Sequence, residues 1–214
     1  MKIALDGPAG AGKSTVAKSL AKKLNYTYIN TGALYRAYTL KTLQDNIDLD
    51  NYEVLTKSLE NTTIDIVGED VYLDCENVSG KIYNPTIDKN ISKIADNKTV
   101  REYLKIIQND LIKKNENIIM EGRDIATIIL PDADYKFFIT ADVEVRAKRR
   151  VAQNEQKGIK SDYDEILKDI IKRDEDDKKR EIAPLVILPE SIVLDSSNKT
   201  PEQTVEEILC IMKK

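Results

Sequence analysis

Residues 7–15 read Gly-Pro-Ala-Gly-Ala-Gly-Lys-Ser-Thr. Gly7, Gly12, Lys13 and Ser14 fill every fixed position of the phosphate-loop spacing G-x-x-x-x-G-K-[ST]. The flanks agree with it: Lys2-Ile3-Ala4-Leu5-Asp6 reads as a short buried strand, and Val16, Ala17, Leu20, Ala21 and Leu24 follow at helical spacing. A loop between such a strand and helix can curl its backbone N–H groups inward only where no Cβ obstructs it, hence the glycines. The helix opening near Lys13 adds the positive end of its dipole. Gly7, Pro8, Ala9, Gly10, Ala11, Gly12, Lys13, Ser14 and Thr15 are therefore candidates to bind a nucleoside triphosphate. Lys13 offers a point charge to the outer phosphates, and the Ser14 hydroxyl is a candidate ligand for Mg²⁺.

The chain has no histidine. That excludes a His-dependent triad and any His-ligated metal. Lys, Arg, Asp, Glu, hydroxyls and a bound cation remain, which suits phosphoryl transfer, where positioning and charge stabilisation outweigh acid–base work. The 214 residues suffice for a single α/β domain with a full core. A net charge of −4 gives no global attraction to nucleic acid or to an anionic membrane. Cys75 and Cys210 form neither a disulfide framework nor a C-x-x-C pair, as expected of a protein in the reducing cytoplasm. No signal peptide is read before the first strand, and no apolar run approaches the length of a membrane span.

Beyond the loop, strands are expected at Tyr26–Asn30, Asn117–Met120, Tyr135–Ile139 and Ile192–Leu194. Helices are expected from Thr31 to about Leu43, over 51–60, from Pro85 to about Ile94 and over Lys98–Lys114. The alternation predicts a parallel sheet flanked by helices. Thr63–Val67 and Val71–Cys75, joined through Gly68-Glu69-Asp70, break the pattern and read as a hairpin, with Val78–Ile82 as a third short strand. They make a small β-rich insert. Residues 142–181 are dense in charge, with acids and bases in equal number. They read as two helices broken near Gly158, thinly striped with apolar residues and so weakly packed and mobile. Thr200-Pro201-Glu202-Gln203 is a capping box opening a last amphipathic helix.

Glu121-Gly122-Arg123-Asp124 follows a buried strand, at the edge where doubly wound sheets bind ligands. Arg36, Arg101, Arg173 and Arg180 also stand at helix starts or beside the charged arm, and arginine holds phosphate bidentately. On Gly7–Thr15, Thr31-Gly32-Ala33-Leu34-Tyr35-Arg36, Val78–Ile82, Gly122-Arg123-Asp124, the run Arg173–Pro184 and Leu194-Asp195-Ser196-Ser197, in that order, the chain resembles the bacterial cytidylate kinase family over nearly its whole length. The resemblance implies a P-loop kinase of one domain, 1–214, with a nucleoside-monophosphate-binding insert near 60–95 and a helical lid near 146–160. It implies transfer of a phosphoryl group from ATP, with Mg²⁺, to CMP or dCMP by a cytoplasmic monomer with no nucleic-acid or membrane partner. Residue by residue it implies that Arg36, Arg123 and Arg180 hold the CMP phosphate. Ser92, Arg101 and Asp124 would read the cytosine, with Thr31 also at the acceptor, and Arg173 and Asp177 would hold the sugar. Arg146, Arg149 and Arg150 would belong to the lid and, with Lys13 and Arg123, stabilise the transferring phosphate. Asp124 suits the base it is given, since a carboxylate accepts from the N4 amino group of cytosine.

Three positions depart from the family's usual residues. Thr31 stands for Ser and keeps the hydroxyl; Asn30 and Glu121 each stand where Asp is common, and Asn30 removes a charge. The acidic run Asp174-Glu175-Asp176-Asp177 reads as a charged helix face paired with Lys178, Lys179 and Arg180, with only Asp177 singled out by the resemblance. A kinase for another small acceptor and a nucleotide-dependent switch are the rival readings. A guanine-reading Asn-Lys-x-Asp is missing at both Asn-Lys pairs, Asn97-Lys98-Thr99-Val100 and Asn198-Lys199-Thr200-Pro201, and D-x-x-G occurs only at Asp65–Gly68, inside the insert.

Overall fold

The computed structural model describes residues 1–213. The chain opens with β1 (Lys2–Asp6), α1 (Lys13–Leu24), β2 (Thr27–Asn30), α2 (Thr31–Gln44) and α3 (Tyr52–Glu60). β3 (Ile64–Val67), β4 (Asp70–Leu73), β5 (Glu76–Asn77), α4 (Pro85–Asp96) and α5 (Lys98–Lys114) follow. The rest is β6 (Ile118–Gly122), a π-helical turn (Ile125–Ile129), β7 (Tyr135–Thr140), α6 (Val143–Gln156), α7 (Tyr163–Lys179), β8 (Ile192–Asp195) and α8 (Pro201–Met212). Five strands make a parallel sheet in the order β2-β6-β1-β7-β8, flanked by helices, and β3-β4-β5 make a small second sheet. Two compact units result, one of residues 1–26 with 119–213 and one of residues 27–118.

In the first unit β1 is the pivot. The chain leaves it to one side and returns to pair β7 on the other, with Ile3 beside Tyr135 and Asp6 beside Phe138. A reversal of this kind opens a crevice at the carboxyl ends of the strands, and both the phosphate loop and Gly122-Arg123-Asp124 leave the sheet from those ends. β1, β6 and β7 are buried as near-continuous apolar runs: Ile3, Ala4, Leu5, Ile119, Met120, Phe137 and Ile139 are all inaccessible or nearly so, as a sheet covered on both faces requires. α1 and α8 pack together, burying Val16, Ala17 and Leu20 from one and Val205 and Ile208 from the other. α8 starts on the expected capping box, Thr200 and Gln203 each bonding the other's backbone.

The second unit owes most of its helix starts to asparagine. Asn51, Asn84 and Asn97 each accept from the backbone N–H three residues on, opening α3, α4 and α5. Asn97 also ends α4, so one residue stops a helix and starts the next. The core gathers Leu34 and Tyr38 of α2, Leu55 and Leu59 of α3, Ile91 and Ile94 of α4, Val100 and Leu104 of α5, and Ile64, Val71 and Leu73 of the hairpin. The hairpin pairs as expected, Ile64 opposite Leu73. The third strand does not fall at Val78–Ile82; it is the two-residue β5. Val78 and Ile82 are both buried, a four-residue spacing that suits a helical turn, and Lys81 and Ile82 both donate to the Val78 carbonyl at 2.8 and 3.2 Å.

The charged arm is two helices, α6 and α7, as expected, and they pack on each other. Its burial is polar: besides Ala147 and Ile170, the buried side chains are Arg146, Asp174 and Asp177. The π-helical turn was not expected. Its five residues, Ile-Ala-Thr-Ile-Ile, give no periodicity that distinguishes a wide turn from a strand.

The tightest backbone approach is at Gly7, where φ is +144° and a Cβ would lie 1.9 Å from the Ile139 carbonyl oxygen of β7. Gly158, at φ +69°, has open space around it. Gly7→Ala should therefore cost about 3 kcal/mol or more through clash and strain together, and Gly158→Ala only about 1 kcal/mol through φ alone. Melting temperatures of the two variants check this: equal shifts would refute it.

Candidate phosphate-loop site

The loop between β1 and α1 is held through its carbonyl groups. Lys13 Nζ donates to the Pro8 carbonyl at 2.8 Å, Arg146 Nη1 to that of Ala9 at 3.2 Å, and Ser196 Oγ to that of Ala11 at 2.9 Å. Gly12 caps α1 at φ +87° with no side-chain bond to the helix. The first-turn N–H groups of α1 thus have no side-chain cap, which is the arrangement an anion needs. Ser14 and Thr15 are exposed at that turn.

Lys13 is only 6% exposed. Burial, and then the positive field of Arg123, push its amine down to about 7, against the pull of Glu121, Asp6 and Asp177. Those groups place the phosphate loop and the edge after β6 in one electrostatic neighbourhood. There Arg123 Nε donates to Asp177 Oδ2 and Arg180 Nη2 to Asp177 Oδ1, both at 2.7 Å. Burial alone would raise the Asp177 carboxyl, yet Arg123, Arg173 and Arg180 hold it below the usual carboxylate range. Asp124 is buried at the start of the π-helical turn. Asp6, the last residue of β1, accepts from the N–H groups of Ile125 and Ala126 at 2.9 and 2.8 Å. Burial pushes its carboxyl up to about 6, the two N–H bonds oppose this, and the Asp124 charge adds to the rise.

In the second unit Thr31 is buried at the start of α2 and Ser92 is half-buried on α4. Arg36 donates to Asp88 Oδ1 at 2.5 Å and to the Ile82 carbonyl at 3.0 Å, and its guanidinium lies 5.0 Å from the Tyr83 ring centroid. Arg101 is buried, donating to the Ala95 carbonyl at 2.9 Å and lying over Tyr35. The first unit thus brings together Lys13, Arg123, Asp177 and Arg180 of the expected residues, with Asp124 and Arg173 felt within the same network, and the second unit carries Thr31, Arg36, Ser92 and Arg101.

The three arginines expected in a lid differ in how they are held. Arg146 is 5% exposed and bonds protein groups on every side: the Ala141 and Ala9 carbonyls, and Asp174 Oδ2 at 2.7 Å. Arg149 donates to Ser196 Oγ at 3.1 Å and to its carbonyl at 2.6 Å, and passes 3.8 Å from the place of a Gly12 Cβ. Arg150 is half-buried. Three residues of the first unit's site went unassigned in the sequence, Asp6, Asp174 and Ser196, and in the second unit so did Asp88, the partner of Arg36. Asp174 had a signal, because it stands three residues before Asp177 on the same helix face. So did Asp6, an acid that follows the apolar run Ile3-Ala4-Leu5 directly before the loop.

The family model described as cytidylate kinase matches residues 3–214. A cytidylate kinase of Caldanaerobacter subterraneus subsp. tengcongensis is 45% identical over 214 residues, covering 100% of this chain and 95% of the relative. One from Alkaliphilus oremlandii is 45% identical over 213 residues, covering 100% and 98%. Among solved structures, a shikimate kinase of Bacteroides thetaiotaomicron aligns with a TM-score of 0.52 at 14% identity, covering 100% of this chain and 99% of that one, a likeness of fold. With the family model and full-length relatives in agreement, this chain belongs to the cytidylate kinase family.

Proposed function

We propose that this chain transfers the γ-phosphoryl group of ATP to CMP or dCMP, giving ADP and CDP or dCDP. The observation that carries the reading is a single neighbourhood that joins a buried Lys13, set on a glycine loop at a helix start, to two arginines sharing one carboxylate. Lys13 steadies the charge that develops on the transferring group, and the loop N–H groups cradle the donor phosphates. To do so Lys13 gives up its bond to Pro8. Arg123, Arg180 and Arg36 hold the acceptor phosphate, which is already ionised and needs no general base. Asp124, Ser92 and Arg101 read the cytosine, Thr31 contributes its hydroxyl at the acceptor, and Arg173 and Asp177 hold the sugar. Arg149 and Arg150 serve the transferring phosphate from the lid, whereas Arg146 supports it by shaping the loop.

The residues fit Mg²⁺. Among the described residues no group of three or more acids or cysteines gathers as a metal cage, and Mg²⁺ is commonly held by few protein ligands together with substrate phosphates and water. The exposed Ser14 hydroxyl would be its ligand, and the bound ion would neutralise charge on the donor phosphates. Among the described residues no helix is long and apolar enough to cross a membrane. We assign the enzyme to the cytoplasm as a monomer.

Lys13→Ala should lose on the order of 10³-fold or more in kcat while keeping its fold. A coupled ADP-release assay checks it, and near-normal turnover in a folded variant would refute the loop's role.

Proton linkage gives a second expectation. With its amine near 7, Lys13 is mostly neutral at pH 8 in the free protein. Triphosphate charge favours the ammonium form and raises that value, so ATP binding at pH 8 should take up a proton. Calorimetry in buffers of different ionisation enthalpy measures the uptake, and Lys13→Ala should abolish it. Equal binding heats in all buffers for the unmutated protein would count against it.

CMP and dCMP should exceed UMP by about 10²-fold or more in kcat/KM, because a carboxylate cannot donate to the O4 of uracil and a mismatched buried group is left desolvated. Asp124→Ala should narrow that gap, and Arg123→Ala should slow both acceptors alike. Comparable use of UMP and CMP by the unmutated enzyme would overturn the base assignment and leave the kinase assignment standing.

A further inference from the structure

Asp6 has no part in the chemistry above, yet it is 3% exposed at the junction of β1 and the phosphate loop. Both of its oxygens are used: Oδ1 accepts from Ile125 N–H and Oδ2 from Ala126 N–H. These are first-turn groups, for which the turn itself supplies no acceptor. The residue just before them is Asp124. Its carbonyl is tied forward, accepting from the N–H groups of Ile128 and Ile129 at 2.9 and 3.3 Å and from Thr127 Oγ1 at 3.2 Å. The peptides that follow it are tied back to Asp6. The peptide that joins Asp124 to Ile125 is therefore held at both its carbonyl and its N–H, which fixes the backbone on the C-terminal side of Asp124.

The choice of residue is costly. Asp6 is buried beside a second acid, Asp124, with Lys13 the opposing charge, and burying like charges together disfavours both ionised forms. Elsewhere in this chain Asn51, Asn84, Asn97, Asp162 and Thr200 start helices through one oxygen each. Asp6 differs from them in using two acceptor oxygens at once. We infer that Asp6 is a positioning residue for acceptor selection: its two-oxygen grip on Ile125 and Ala126 sets the aim of the Asp124 carboxylate and ties it to the residue from which the phosphate loop springs. This rests on the reading of Asp124 as the group that recognises the base.

Asp6→Asn is nearly isosteric, but its amide accepts on one atom and turns an NH₂ toward the other N–H. The test is steady-state kinetics with CMP and with UMP for the unmutated enzyme, Asp6→Asn, Asp124→Ala and the double variant. Asp6→Asn should raise the KM for CMP and narrow the CMP-over-UMP ratio in kcat/KM by about tenfold, the effect of one lost buried hydrogen bond. The KM for ATP should stay within about twofold, and the double variant should discriminate no less than Asp124→Ala alone. The ratio is blind to the fraction of protein folded, so a merely structural role would not move it. If Asp124→Ala narrows the ratio and Asp6→Asn leaves it intact, the positioning inference falls alone. If Asp124→Ala leaves it intact, the base reading falls and the inference with it. Should Asp6→Asn not fold, amide hydrogen exchange on the unmutated protein decides: slow exchange at Ile125 and Ala126 supports the grip, and exchange at the rate of open backbone overturns it.

Discussion

Everything at the site depends on where the carbonyl groups of one short loop find their donors. A tightly curled backbone cannot turn its N–H groups toward a ligand unless its C=O groups are satisfied on the other side. Here Lys13, Arg146 and Ser196 satisfy them at Pro8, Ala9 and Ala11, from three different parts of the chain. Gly7 lets the loop leave β1 directly against the backbone of β7. The loop is thus shaped by the sheet and by α6 as much as by its own glycines. Two of the three donors are tied further into the protein, Arg146 to Asp174 and Ser196 to Arg149, whereas Lys13 reaches Pro8 from the helix that the loop itself opens.

In each unit charge is buried or half-buried, but nearly always in company. Asp177 lies between Arg123 and Arg180, Asp174 meets Arg146, and Asp88 meets Arg36. Such pairs add little net stability, because desolvation offsets most of their attraction. What they do is fix the direction of planar guanidiniums that would otherwise sweep a wide cone. An arginine held by a carboxylate on one edge still presents its remaining N–H groups along a defined line. Arg36 is constrained further by the Tyr83 ring and the Ile82 carbonyl.

Much of the fold was legible because local signals and packing agree. Lys98–Lys114 is helical over the expected span, since Asn97 caps it and Val100, Leu104 and Leu111 form one buried stripe. The hairpin was visible in its β-rich runs around Gly68. Val78–Ile82 failed because two buried aliphatics four apart suit a turn as well as a strand, and only the rest of the unit decides between them. At the site, the glycines, Lys13 and the arginines were legible as residue types with one dominant use. Asp174 and Asp6 carried a signal in their positions but no legible role, because an acid in a charged helix or at a strand end looks alike whether it faces water or a buried partner. The thin apolar stripe of α6 and α7 suggested weak packing for the same reason: pattern analysis counts aliphatics and is blind to Arg146 and Asp174 closing the contact as an ion pair.

Two grips on the first unit come from a single stretch of α7. Asp174 engages Arg146, which holds the phosphate loop, and three residues on, Asp177 engages Arg123, which follows β6. Their separation along the helix axis is about 4.5 Å, and they share a face because three residues nearly complete a turn. The helix therefore works as a ruler whose marks lie less than one turn apart. A residue inserted between the marks would swing one of them by about 100° and part the grips. An insertion between Asp162 and Ile170 would leave the spacing untouched. Length changes on either side of Asp174–Asp177 leave that spacing intact, so the unit can change the reach of its charged arm without altering the distance between the two grips.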